Sequence, residues 1–200
     1  MLISEFILLY IMVATVAVFV DTGAGPTGTD TSSLGPPNIR FKTADDAVID
    51  ANNPIPIPTS GTNRSFWKHI FLKVTGGTFT QIDNVKFFTD GTGFGTGITV
   101  FVGDETPTKN SGSTAGYDQA TGTVGTTGNE LTTHAIITAK TNAFTFTSGS
   151  PKTITISEAG AIINATNETT NYLVAQMDVA STASPGDLAD ETWTFQYDEI

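Results

Sequence analysis

Residues 1–20 read MLISEFILLYIMVATVAVFV, an apolar run broken by one charge, Glu5. The fold turns on how this run is read. As a helix rising ~1.5 Å per residue it would extend roughly 30 Å, the thickness of a bilayer's hydrocarbon core. Its second half is β-branched, with Val13, Thr15, Val16, Val18 and Val20, and such residues also suit an extended strand. Water is a poor neighbour for either form, so lipid or protein must cover the run. The expectation taken here is a hydrophobic α-helix over residues 1–20.

Residues 21–38, DTGAGPTGTDTSSLGPPN, change character abruptly. Gly23-Ala24-Gly25-Pro26 cannot carry a helix onward, because proline lacks a donor and disfavours the α conformation of the residue before it. This stretch reads as a linker or extended arm. From Ile39 the hydrophobic period becomes two. Phe66, Lys68, Ile70, Leu72 and Val74 alternate with Trp67, His69, Phe71 and Lys73. The same alternation recurs around Val85 and Phe87, Ile98 to Val102, Phe144 and Phe146, Ile154 and Ile156, Leu173 to Val179, and Trp193 to Tyr197. Turn residues separate these segments, and one short helical turn is expected near residues 44–49. The fold class expected is mainly β: a helix over 1–20, a linker over 21–38, and an antiparallel β-sandwich over 39–200, immunoglobulin-like or jelly-roll-like. The aromatic closing segment is expected to be tied into a sheet.

Composition narrows the function. Twenty Asp and Glu face nine Lys and Arg, for a net charge of −11, so a basic footprint for nucleic acid is missing. There is no cysteine, which excludes disulfides and thiolate metal sites. Thr and Gly are abundant, and charged residues make up 14% of the chain, a balance that favours strands and turns.

Motifs that could carry chemistry read more simply as structure. Asp90-Gly91-Thr92-Gly93-Phe94-Gly95-Thr96-Gly97 is followed by a strand rather than a helix, so no helix amides face a phosphate there. Asp45 and Asp46, and Asp187, Asp190 and Glu191, lack calcium-loop spacing and read as solvated loop acids. His69 and His134 each fall in expected strands, away from any nucleophile elbow or zinc motif. No enzyme activity, cofactor or metal is expected. Three sequons, at Asn63, Asn164 and Asn167, are candidate N-glycosylation sites in loop-like sequence.

The start of the run lacks the basic residues and the small-residue cleavage site of a secretory signal, and a lone membrane anchor would leave Glu5 without a partner. The stretch Met1-Leu2-Ile3-Ser4-Glu5-Phe6-Ile7-Leu8-Leu9 resembles the mature N-terminus of the type IV pilin superfamily, with a short helix feeding a Thr-rich β-domain as in archaeal pilins and archaellins. The resemblance implies an extracellular structural subunit that polymerises with copies of itself after passing through the membrane. It also implies that Glu5 pairs with the Met1 amine of a neighbour. Helical spacing then selects Phe6, Leu9, Val13, Val16 and Val20 for packing in a filament core. Two rivals share the residues: a surface-displayed adhesion domain on a single transmembrane anchor, and a filament joined by donating the apolar run as a strand.

Overall fold

The computed structural model describes residues 13–22, 29–32, 39–46, 48, 51–106, 109 and 130–200. Within them the chain is mainly β, built of antiparallel sheets, consistent with a β-sandwich. The strands are β1 (Ala14–Thr22), β2 (Thr29–Ser32), β3 (Thr62–Arg64), β4 (Lys68–Gly77) and β5 (Ile82–Phe88). They continue with β6 (Ile98–Glu105), β7 (Ile137–Asn142), β8 (Lys152–Thr153), β9 (Leu173–Ala180) and β10 (Thr194–Glu199). The larger sheet runs β2-β1-β4-β9-β6-β7, with β3 added alongside β9, and the smaller runs β10-β5-β8.

The expected N-terminal helix is corrected at its second half. Ala14–Thr22 is a strand, hydrogen-bonded to β2 on one side and β4 on the other, with Val16 opposite Val74 and Val20 opposite Ile70. The physical reason lies in the β-branched residues and in what each face can bury. Val16, Val18 and Val20 point into the core between the sheets, while Phe19 stacks on Phe71 across the outer face, ring centroids 5.7 Å apart. A strand covered on both faces needs no alternation of polar residues, so its sequence looks like a continuous apolar run. Residues 1–12 lie outside the described residues.

The main core joins both sheets: Ile70, Leu72, Val74, Val100, Val102, Leu173 and Ala175 from the larger, and Ile82, Val85 and Phe87 from the smaller. A second cluster covers the outer face of the larger sheet, where Trp67, Phe71, Tyr172 and Val174 pack under Leu131 and Ile137. Gln176 fastens this cover, accepting from the Leu131 N–H at 2.8 Å and donating to the Ser65 carbonyl at 2.9 Å.

Other expectations fare variously. Strands were expected and found around Lys68–Gly77, Ile82–Phe88, Ile98–Glu105, Leu173–Ala180 and Thr194–Glu199. Phe144 and Phe146 do not make a strand: Ala143–Thr145 is a single 3-10 turn, started by the Asn142 side chain accepting from the Phe144 N–H. Thr43 to Asp46 are bends rather than a helical turn, and positions 47, 49 and 50 lie outside the described residues. Within residues 21–38 the linker reading is corrected in part, since Asp21 and Thr22 finish β1 and Thr29–Ser32 is β2.

Candidate assembly surface

Strand registers give the domain two distinct ends. At one end Ala14 lies opposite Gly77, and Ile200 exchanges backbone hydrogen bonds with Gln81. The Ala14 N–H donates to Glu199 Oε1 at 2.7 Å, which ties the start of β1 to the end of β10 and closes the two sheets together there. At the other end Ile98 lies opposite Val179, and Thr194 lies opposite Phe88. Here the sheets part. A cleft of about 780 Å³ opens between them, floored by Val18, Ile70 and Val179 of the larger sheet and walled by Trp193 and Phe195 at the start of β10.

Loops frame this cleft. Phe41 packs against Trp193 with ring centroids 6.0 Å apart, and Arg40 Nη2 reaches Asp187 Oδ1 at 3.2 Å, joining the residue 39–41 segment to the 183–193 segment. That ion pair is exposed, with Asp187 89% accessible, so it positions the rim more than it stabilises the fold. Arg40 is the one cation among the lining residues; Asp187, Asp190 and Glu191 are the acids. Burial, then the neighbouring Asp90, pushes the Glu191 carboxyl above its ordinary range. Among the described residues β10 pairs with β5 and has no strand on its other side, so an open sheet edge borders the cleft. This combination suits capture of an apolar, extended segment.

Of the assembly residues selected by helical spacing, the described ones, Val13, Val16 and Val20, do not form a helix face. Val20 is 2% exposed inside the domain's own core, and Val16 packs against that core, so neither is free to line a filament axis. Val13 stands 57% exposed at the closed end, its carbonyl accepting from the Thr78 N–H at 3.3 Å. Met1, Glu5, Phe6 and Leu9 lie outside the described residues. Sequence reasoning missed the cleft, because its lining is drawn from segments scattered between residues 18 and 195 and its floor alternates with core residues.

The outer face of the larger sheet holds a buried polar cluster that the sequence also concealed. Lys109 Nζ lies 2.9 Å from Asp21 Oδ2, and the Tyr172 hydroxyl donates to the same carboxylate. His69 Nε2 stands 3.6 Å from Glu105 Oε1, and its ring meets Tyr172 edge-on. Lys109 also sits over the Phe71 ring, 4.2 Å from the centroid. Asp21, His69 and Glu105 are all 3% exposed or less. Their arrangement reads as a charge-compensated joint between the sheet and its cover. Asp21 was expected in a linker and His134 in a strand; the first ends β1 and the second follows a turn, edge-on to Trp67.

The remaining motifs are placed as follows. The Asp90–Gly97 stretch connects β5 to β6, as expected. Asp46 accepts from Lys42 Nζ at 2.7 Å, and its carbonyl accepts from Lys68 Nζ at 2.7 Å. Burial pushes the Asp46 carboxyl up, but the bonds from Lys42 and from the Val48 N–H hold it below its ordinary value. Among the described residues no group of three or more His, Asp and Glu is placed to hold a metal. Asn63 lies in β3 rather than a loop, and its Nδ2 donates to the Pro56 carbonyl at 2.7 Å. Asn164 and Asn167 are exposed. No helix among the described residues is long and apolar enough to cross a membrane. No protein family model, no curated protein and no solved structure matches the chain.

Proposed function

We propose that this protein is a structural subunit of an extracellular filament, assembled from copies of itself through its apolar N-terminal residues. The observation that carries this reading is the junction at Val13. The apolar residues 1–12 lead directly into β1, an inner strand anchored between β2 and β4, so whatever covers them is coupled to the body of the domain. Two further observations support it. Asp21, His69 and Glu105 of the polar cluster are buried, and the net charge is strongly acidic, which keeps free subunits apart until specific contacts form.

The pilin resemblance enters this proposal through residues 1–9 alone. Val16 and Val20 are withdrawn from the filament core, and residues 1–12, with Phe6 and Leu9 as apolar contacts, take over the joining role. Glu5, once desolvated, needs a cation from a neighbour, since an unpaired buried carboxylate is costly. Full-length protein should form filaments visible by negative-stain electron microscopy as concentration rises. Glu5→Ala should lower the polymerised fraction. A chain that stays monomeric at every concentration and ionic strength overturns the proposal; so does a Glu5→Ala subunit that polymerises normally, for the role given to Glu5.

A further inference from the structure

The cleft sits at one end of the domain, where β10 begins, and the chain enters β1 at the other; among the described residues β10 is paired on one side only, along its whole length. We propose that the cleft is an acceptor for residues 1–12 of a second copy, which add to β10 as an extended strand and fill the gap between the sheets. This rests on the filament reading above and names the contact that would build it.

Four features match donor to acceptor. First, length: the six residues of β10 extend about 20 Å at ~3.3 Å per residue, and twelve residues cover twice that, enough for the strand and a connection to Val13. Second, chemistry: residues 6–12, FILLYIM, carry no charge and no proline, and the cleft offers Val18, Ile70, Phe195 and Trp193 for their inward side chains. Third, charge: the segment's one ionised side chain is Glu5, and among the described residues lining the cleft the one cation is Arg40, 38% exposed and held on an exposed Asp187 that can release it to a competing carboxylate. Fourth, polarity of the domain: donor and acceptor at opposite ends make the contact heterologous, and such a contact repeats without closing. Main-chain bonds along an edge supply affinity, and alternate side chains in pockets supply register, as in other strand additions. A sheet edge left open would invite indiscriminate pairing, and an occupant supplied by the next subunit removes that hazard.

The absence of cysteine makes the test clean. One full-length variant carries Gln196→Cys, an exposed position on β10. A set of partners each carries one cysteine between Ile3 and Tyr10, and isotope labelling separates the two populations. Because strand side chains alternate faces, disulfide-linked dimers should form at every second position of the scan, at about tenfold higher yield than at the positions between. Yield should rise with protein concentration, Arg40→Glu should suppress it, and Arg40→Glu with Glu5→Arg should restore it. Filaments without cross-links overturn this acceptor and leave the filament reading standing. Cross-linked dimers without filaments support the acceptor and remove the filament reading. Cross-links confined to a single chain carrying both cysteines, independent of concentration, assign the cleft to the chain's own residues and overturn the proposal.

Discussion

Single residues show how burial reshapes chemistry in this protein. Asp178 on β9 lies 3.5 Å from Arg64 Nε, yet its carboxyl is pushed up to about 6: burial dominates, Arg64 pulls the other way, and Glu130 adds to the rise. The native state therefore holds this proton more tightly than the unfolded chain, whose Asp titrates near 4. Between those values stability contributed by Asp178 falls as pH rises, and it is greatest below about 4. Chemical denaturation of wild type and Asp178→Asn across pH 4 to 7 should show wild type gaining on the variant as pH drops; a constant difference would contradict the assignment. Lys68 shifts for the same reason in the opposite chemical sense, down to about 8, because burial outweighs the carboxylates of Asp45 and Asp46.

Gly97 makes a different point at the same scale. Its φ is +77°, and a Cβ there would lie 2.5 Å from the Ala183 backbone nitrogen. Gly97→Ala is expected to cost about 1–3 kcal/mol, from left-handed strain plus displaced backbone. A thermal melt unchanged by this substitution would show the β6 entry to be looser than described. Of the three sequons, Asn164 should carry sugar most readily in a glycosylating host, with its amide on an exposed loop; Asn63 should carry least, its Nδ2 being held in β3 by Pro56. Site-resolved mass spectrometry decides the order.

At the scale of elements, β1 and β10 carry the proposed assembly. β1 pairs along its length with β4, so the amides of Ala17 and Phe19, which face Lys73 and Phe71 across that ladder, should rank among the slowest to exchange with deuterium. Fast exchange there would return these residues to a detachable arm. β10 contributes Phe195, whose ring packs 5.5 Å from Phe87, and Trp193 packs 5.2 Å from the same ring. Removing Thr194–Glu199 strips one side of β5 and uncovers the core, and is expected to abolish the cooperative melt. The strand alternation from Ile39 onward made β4, β5, β6, β9 and β10 legible, whereas β1 was expected as a helix. β3 and β7 were not legible, since Thr62-Asn63-Arg64 and most of Ile137–Asn142 are polar and hold their place through main-chain pairing. The two-residue β8 was expected longer because Ile154 and Ile156 keep the alternation, but they bury side chains without extending the ladder.

At the scale of the whole molecule, charge and shape act together. Copies carrying a net charge of −11 repel one another, and salt screens that repulsion over roughly 10 Å at 0.1 M. Polymerisation driven by apolar contact should therefore speed up with added salt. Assembly that weakens with salt would point instead to ion pairing as the main attraction. The asymmetry between a closed end, tied by the Ala14 N–H and Glu199, and an open end beside Trp193 gives each subunit a direction.

Some of this was determined by the residues alone. Acidity, the lack of cysteine, the two-residue period after Ile39, and the glycine turn between β5 and β6 depend on local chemistry, and each was readable without neighbours. The apolar run was readable as something that must be covered, but not as helix or strand. Only tertiary structure decided that, because Val16, Val18 and Val20 on one face and Phe19 on the other meet two different apolar layers made by β4, β5 and β9. Likewise, no local pattern encodes a cleft floored by β1, β4 and β9 and walled by residues 39–41 and the start of β10. Such a site exists in the spacing between sheets, and that spacing is a property of the packed chain.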